Sequence, residues 1–387
     1  MMQLDSLRVI VVGGAIGGCT TALLLARAGA RVTLIERVAQ PRAVGAGIAI
    51  AANGQAVLDG LGLGPALAAA PLVQNGRVAD GRGRVLLEPM AAMPPMRMLR
   101  RATLAAVLLD AIAAEPRITA MFGAEVLAAT AEGSLRARTP LGETDLSADL
   151  VVAADGAHSA LRASLPFGAR VRTNGIPYLR ALLPEGLALE EEAWTAAGLF
   201  GSFAVDGATY IYASAGTAPL RAAVAARDLD AFREAWRLAY PAAGPLLAPL
   251  ARWDELLLNT VVRVQCARWS VGRVTLLGDA AHAMAPNLGQ GANSAMVDAA
   301  VLLHALRQEA DVPAALAAYE RRRRPAVERV AQTSARLGAL ADRTSGLARF
   351  ARDRLLMPLL RVLPASGAVR MTLQEDPELL RQICVAS

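Results

Sequence analysis

Residues Arg8–Glu36 read RVIVVGGAIGGCTTALLLARAGARVTLIE. An apolar run (Arg8–Val12) enters a glycine turn made of Gly13, Gly14, Ala15, Ile16, Gly17 and Gly18. A helical segment then runs to Ala28-Gly29, a second apolar run covers Val32–Ile35, and an acid, Glu36, closes the unit. Strand, tight turn, helix and strand in this register form a dinucleotide-binding unit. Its glycines let backbone approach a pyrophosphate, its helix start offers free N–H groups and partial positive charge, and its acid accepts from ribose hydroxyls. Glycines alone are weak evidence; strand, helix, second strand and acid in order are specific. One position departs from the pattern. Ala15 holds the place of the middle glycine, so either its φ is ordinary or Gly14 supplies the room.

A second stretch answers the first from far along the chain: Gly272–Leu306, GRVTLLGDAAHAMAPNLGQGANSAMVDAAVLLHAL. Val274–Leu277 reads as a buried strand, Gly278–Gly291 as an irregular crossing, and Met296, Ala299, Ala300, Leu303 and Leu306 as one face of a helix. Asp279, at the strand's end, is placed to bond a polyol or ribityl hydroxyl. The turn Pro286-Asn287-Leu288-Gly289-Gln290-Gly291 brings backbone N–H groups and a helix start to one point, which favours an anionic ring or phosphate. The plainer alternative is a strand–loop–helix unit with an Asp cap.

Composition narrows the function classes. The 387 residues are 54% hydrophobic, enough for a large core and more than one minimal domain. The formal charge is +6, yet the sequence has no lysine, its arginines are scattered, and aromatics make up 4%, a poor footprint for nucleic acid. Cys19, Cys266 and Cys384 fit neither a disulfide framework nor a metal motif, so no metal is expected. The absence of a charged-then-apolar leader and of a long apolar run predicts a cytoplasmic chain without stable membrane insertion.

Between the two stretches, Val44–Ile50, which includes Ala46 and Gly47, is a Gly-spaced segment suited to close backbone approach. Gln55–Leu63 reads as a short helix closed by Gly62. Arg77–Leu87, turning at Asp80–Gly83, reads as a hairpin and the first visit to a second, β-rich domain. Met90, Met93, Met96 and Met98 either line an adaptable apolar pocket or fill gaps under Pro94-Pro95. Arg101 opens a helix to Ala114, from which it would reach a cofactor. Strands are predicted at Met121–Ala131, Ser134–Thr139 and Asp149–Ala154. The last leads into Asp155-Gly156-Ala157-His158-Ser159-Ala160-Leu161-Arg162, an anion-friendly corner with a Ser cap and a trailing Arg. His158 reads more naturally as structural than as catalytic. Leu199–Val205 and Ala208–Ser214, joined at Asp206-Gly207, alternate as antiparallel strands. A helix at Leu229–Tyr240 and a Pro-rich bend follow, with a return to the cofactor domain at Val261–Gln265. Val312–Ala341 predicts one or two helices broken at Pro325, with Arg321–Arg324 as a solvated face. Leu347–Leu360 is basic and amphipathic, suited to packing on the body or a partner subunit more than to a membrane surface.

GGAIGG with Glu36, DGAHSALR at Asp155–Arg162 and GDAAHAMAPNLGQGAN at Gly278–Asn293 stand in one order. The set resembles the p-hydroxybenzoate hydroxylase-like, single-component FAD-dependent monooxygenases, from about Arg8 to Ala341. The resemblance implies an α/β fold: a Rossmann-like, glutathione-reductase-type FAD-binding domain (1–75, 97–165 and 261–311) interleaved with a smaller β-sheet substrate domain (76–96 and 166–260), followed by a C-terminal helical segment (312–387). It implies that Gly13–Gly18 hold the FAD pyrophosphate and Glu36 the adenosine ribose, with Arg37 and Val126 flanking the adenosine. Arg101, in an R-x-x-L pattern, would reach the FAD, and Asp155-Gly156 would serve both FAD and the pyrophosphate of the donor. Asp279 would bond the ribityl chain, and Pro286, Gly289, Gln290, Gly291, Ala292 and Asn293 would edge the isoalloxazine. NADH or NADPH would reduce the flavin, O₂ would add at its C4a, and the substrate would be hydroxylated or epoxidised.

The expected partners are O₂ and a hydrophobic, aromatic or polycyclic small molecule, bound by a monomer or homodimer. Phe167–Thr260 holds no histidine and no evident acid–base pair, so no catalytic base is named. Phe200, Phe203, Tyr210, Tyr212 and Pro286 are candidate walls, depending on which strand face looks inward. A flavin dehydrogenase or reductase that spares O₂, and a non-enzymatic binder of a hydrophobic compound, are the rival readings. A flavin halogenase needs a catalytic lysine, which this chain lacks.

Overall fold

The computed structural model describes residues 2–40, 46–74, 77–88, 93–361, 369 and 372–385. Pro41, Arg42, Val44, Gly45, Met90 and the 75/76 boundary of the expected domains lie outside the described residues. Two large sheets dominate. The first has six strands, in the order Ser270–Val271, Val274–Leu276, Leu150–Ala153, Arg8–Val12, Arg31–Glu36 and Ile118–Phe122. All its pairings are parallel except that of the edge strand Ser270–Val271. Its central strands are covered on both faces, and Leu150–Ala153 and Val274–Leu276 are buried at every residue. That explains why they read as unbroken apolar runs. Helix Ile16–Arg27 packs between helices Gly291–Gln308 and Arg101–Ala114.

The second sheet has seven strands, ordered Leu257–Gln265, Arg170–Leu183, Ala208–Ser214, Leu199–Val205, Glu191–Trp194, Arg77–Asp80 and Val85–Leu87. The hairpin at 77–87 is present and joins this sheet. Alternation decides its two faces. Leu179, Ala181, Ala193, Phe200, Ile211 and Ala213 point outward into a core shared with Phe232, Trp236, Tyr240 and Leu247 of the covering helices. Their strand neighbours point to the opposite, inward face, where Phe203, Val205 and Tyr210 pack with Ala46, Val73 and Met98, and Tyr178, Trp194 and Leu199 with Ala341 and Met357 of the C-terminal helices.

The expected fold class therefore holds, a parallel-sheet α/β body interleaved with a β-sheet unit and followed by helices, with differences in detail. Val261–Gln265 has not left the second sheet: Val262, Val264 and Gln265 still pair with Thr173, Val171 and Arg170. Met121–Ala131 divides at Gly123 into strands of two different sheets, Ile118–Phe122 and Glu125–Ala129. Gly142–Ser147 is a further strand. The early helix is Ala52–Gly60, and the Pro-rich bend contains the helical turn Ala243–Leu247. Val312–Ala341 is one helix with Pro325 inside it. Arg321–Arg324 is not a solvated face throughout, because Arg323 is fully buried. Leu347–Leu360 packs on the body through buried Arg352 and Met357, leaving Leu347, Phe350, Leu355 and Leu359 exposed. Among the described residues, no helix is long and apolar enough to cross a membrane.

Candidate active site

The glycine turn sits at the end of the first strand. Gly13 has φ +107°, and its N–H donates to Ile35 O at 2.7 Å. Ala15 has φ −88° and ψ −171°, an extended conformation open to any L-residue, so its methyl group needs no special backbone. It precedes helix Ile16–Arg27, whose start has no side-chain cap and no acid in its first turn. The free N–H groups there suit an anion. Glu36 accepts from Gly14 N at 2.7 Å and Val38 N at 2.8 Å, and Arg37 beside it is exposed. Ala124 N donates to Glu36 O at 3.0 Å, which sets Val126, 8% exposed, on the strand leaving this corner.

The corner at Asp155 is tied more tightly than the sequence suggested. Its Oδ2 accepts from Ala160 N (2.8 Å) and Leu161 N (3.3 Å), and Ser159 Oγ caps Arg162 N (2.9 Å). Burial raises the Asp155 pKa against these bonds, and its Oδ1 is buried without a hydrogen-bond partner among the described residues. Arg162, expected to serve an anion, is spent on carbonyls instead, donating to Ala280 O (2.9 Å) and Ala157 O (2.7 Å). It pins this corner to Asp279. His158 is exposed.

Asp279 is exposed between buried Gly278 and Ala280, and among the described residues its carboxylate accepts no hydrogen bond. Arg101 stands opposite. Its backbone N–H holds Ala46 O at 2.8 Å, and its side chain, though exposed to solvent, stands among protein atoms whose desolvation lowers its pKa; Asp279 acts to raise it and Arg180 to lower it further. Gly47 lies under the Tyr210 ring, where an added Cβ would come within 2.4 Å of ring carbons. Two segments far apart in sequence and one strand of the second sheet thus meet at one place.

The Pro286–Asn293 turn is held by its own side chains. Asn293 accepts from Ala51 N (3.0 Å) and donates to Ala49 O (2.9 Å) and Gly289 O (2.8 Å). Gln290 Oε1 accepts from Asn53 (3.3 Å) and Gln374 (3.1 Å), while its Nε2 is buried without a partner among the described residues. These two side chains therefore serve the turn, and what it turns outward is backbone. Gly289 is left-handed (φ +63°), and a Cβ on Gly291 would meet nothing nearer than Asp279 Oδ1 at 3.8 Å. Ala292 follows in the first turn of a helix that has no side-chain cap and no early acid. Pro286 is exposed at the rim.

Beneath this corner lies a set of buried charges that sequence reasoning missed. Asp298 accepts from His282 Nε2 (2.6 Å), Arg323 Nε (2.7 Å) and Gly278 N (3.1 Å). Burial alone would raise the Asp298 pKa, but His282 and Arg323 outweigh it and hold it low. Arg323 comes from the arginine run read as solvated.

Of the candidate walls, Phe203, Tyr210 and Tyr212 share the inward face; Phe203 and Tyr212 stack at 6.2 Å and 12°. Phe200 does not belong with them. It faces outward against Trp236 (5.2 Å) and Tyr240 (5.8 Å), because strand alternation places it opposite Phe203. The inward face also carries residues the sequence did not single out: Tyr178, Arg180, Leu182, Glu192 and Trp194. Asn287 of the turn lies near enough to the Tyr178 hydroxyl to act on it, so this face and the turn border one cleft.

The residues present fit FAD. Uncapped helix starts lie at both ends of the corner, Asp279 is an unengaged carboxylate between them, Asp155 Oδ1 lacks a donor, and the backbone at Gly291 is uncovered.

A family model described as FAD binding domain matches residues 6–334. The chain is 32% identical over 375 residues to the aurachin C monooxygenase/isomerase of Stigmatella aurantiaca, covering 90% of this chain and 94% of that one. It is 34% identical over 355 residues to the 2-heptyl-3-hydroxy-4(1H)-quinolone synthase of Mycobacteroides abscessus, covering 84% and 88%. The tetrameric form of 2-methyl-3-hydroxypyridine-5-carboxylic acid oxygenase superposes with a TM-score of 0.79 at 27% identity, covering 97% of this chain and 98% of that one.

Proposed function

Since this chain belongs to the FAD-dependent monooxygenases of the aromatic hydroxylase type, we propose that it oxygenates an aromatic or polycyclic, largely apolar substrate held between the Pro286–Asn293 turn and the inward face of the seven-stranded sheet. The observation that carries this reading is the meeting of Arg101, Asp279 and Tyr210 beside that turn. The walls are apolar or aromatic: Met98, Leu182, Phe203, Tyr210 and Leu257 cluster there. A relative named for a quinolone and a structural neighbour named for a hydroxypyridine support a bicyclic or heteroaromatic ring as substrate.

Bound FAD supplies the redox and oxygen chemistry, taking a hydride from NADH or NADPH and activating O₂. The chain holds and shapes. The Gly13–Gly18 turn and the following helix start take the pyrophosphate, and Glu36 exchanges its bond to Gly14 N for ribose hydroxyls, within reach of Arg37 and Val126. Asp155-Gly156 adds a second approach to phosphate, and Asp279 takes a ribityl hydroxyl. Backbone N–H groups from Gly289 to Asn293, with the helix start behind them, favour negative charge at the ring edge they face. Phe203, Tyr210 and Tyr212 keep water from the reacting carbon, which matters because a wet site releases activated oxygen as H₂O₂.

The test is O₂ uptake by the purified holoenzyme with NADH or NADPH, with and without a panel of bicyclic aromatics, under ¹⁸O₂. Substrate-stimulated uptake with label in the product is expected. Turnover that persists without O₂ would instead favour a dehydrogenase.

A further inference from the structure

The inward face of the seven-stranded sheet carries a carboxylate with no cation paired to it among the described residues. Glu192 is half-buried on Glu191–Trp194; its Oε2 accepts from the Tyr212 hydroxyl at 2.7 Å and its Oε1 from the Trp194 indole N–H at 2.6 Å. Each oxygen thus has one donor and keeps lone-pair capacity for another. Asp342, just past the long helix, accepts from the Tyr178 hydroxyl at 3.2 Å and lies near enough to raise the Glu192 pKa further, after burial. The nearest cations are engaged elsewhere. Arg180 acts on Tyr210, and Arg352 pairs with Asp353 while lying 5.4 Å over the Trp194 ring.

The residue before it makes the contrast. Glu191 points to the outer face, where Arg77 Nε reaches it at 2.6 Å and the Tyr240 hydroxyl bonds its other oxygen. One strand thus gives each carboxylate one donor per oxygen, but pairs a cation only with the one that faces its covering helices and gives the one on the cleft face two neutral donors. Removing such a group from water costs free energy unless further donors reach it.

Resting on the reading that this cleft holds the substrate, we propose that Glu192 is its specificity-determining acceptor, taking a hydrogen bond from an aromatic N–H of the substrate. A ring N–H is a donor only, whereas a phenol brings lone pairs, and a carboxylate full charge, toward Glu192 and Asp342. The near-parallel rings of Phe203 and Tyr212, on adjacent strands, offer a flat heteroaromatic ring one aromatic wall. A site built around a hydrogen bond rejects analogues that lack the donor, since its own polar group is then left unpaired.

The test measures dissociation constants of three probes for the FAD-loaded enzyme, from the change in flavin absorbance: 4(1H)-quinolone, its N-methyl derivative and quinoline-4-carboxylate. The wild type is expected to prefer the N–H probe over the N-methyl probe by roughly tenfold or more, and to bind the carboxylate weakest. Glu192→Gln should shrink that ratio and Glu192→Leu should bring it near one. General damage to the fold would weaken both neutral probes together and leave the ratio in place. A wild-type ratio near one, or a ratio kept in both variants, overturns the proposal. If aromatic compounds still stimulate O₂ uptake when the ratio is one, only the role of Glu192 fails. If no aromatic compound stimulates uptake, the reading of the cleft fails as well.

Discussion

Gly18 and Gly291 lack side chains for different reasons, and the difference can be measured. A Cβ on Gly18 would come within 1.8 Å of Gly13 O, so this glycine exists for the contact between helix and strand. A Cβ on Gly291 meets no protein atom closer than 3.8 Å. Gly18→Ala should therefore destabilise the apoprotein itself, whereas Gly291→Val should leave its melting temperature within a few degrees and weaken FAD binding by about tenfold or more. Melting curves with and without FAD, beside flavin titrations, separate the two. Unchanged flavin affinity in Gly291→Val would remove the ring from that helix start. At this scale the sequence displayed what is local. The Ser159 cap was legible because its partner lies three positions on, and the Gly13–Gly18 turn because its glycines are contiguous and its partners Ile35 and Glu36 close the same strand–helix–strand unit. The Asp298–Arg323 pair was not, since its members stand 25 positions apart on different helices and nothing in RRRR marks its third arginine as the one that turns inward.

Elements were legible where the segment is buried almost throughout or buries one face at a regular period. Leu199–Val205, Ala208–Ser214 and Arg101–Ala114 have the bounds that their patterns predict. Gly142–Ser147 carries no such signal, because its six residues, GETDLS, are exposed or half-exposed throughout. Arg170–Leu183 is exposed over its first half, so its length is set by pairing with Leu257–Gln265 rather than by burial. Alternation showed that Phe200 and Phe203 face opposite ways, while the choice of inner face awaited the helices that cover the outer one. Their substitution should divide accordingly. Phe200→Ala opens a hole beside Trp236 and Tyr240 and should cost about 3–5 kcal/mol in denaturant titrations, with the KM for substrate little changed in the folded fraction. Phe203→Ala should cost less stability and raise both KM and the H₂O₂ released per NAD(P)H consumed. An equal effect of the two on KM would mean that the inner face is wrongly assigned.

At the scale of the whole molecule, the two sheets must be held together for the cleft between them to exclude water, and one carboxylate takes part in that fastening beside the apolar packing. Asp206, in the hairpin turn of the second sheet, accepts from Arg100 N, from Arg100 Nε at 3.1 Å and from Thr103 Oγ1. Helix Arg101–Ala114 belongs to the other half and begins at Arg100 without a side-chain cap of its own, so the hairpin supplies its cap from 106 positions away. The same helix start carries Arg101, which faces Asp279. Asp206→Ala should therefore act at two levels. Losing a cap costs about 1–2 kcal/mol of stability, while a loosened junction lets the sheet face drift from the Pro286–Asn293 turn. Flavin binding should persist, because Gly13–Gly18 and Asp279 are untouched, but more of the consumed NAD(P)H should appear as H₂O₂ and less as oxygenated product. Asp206→Asn keeps one acceptor oxygen and should fall between the two. Asp206→Ala with full coupling of NAD(P)H to product would mean that the cleft is closed by packing alone, through Phe203, Tyr210 and the strand Met96–Arg100 beneath them.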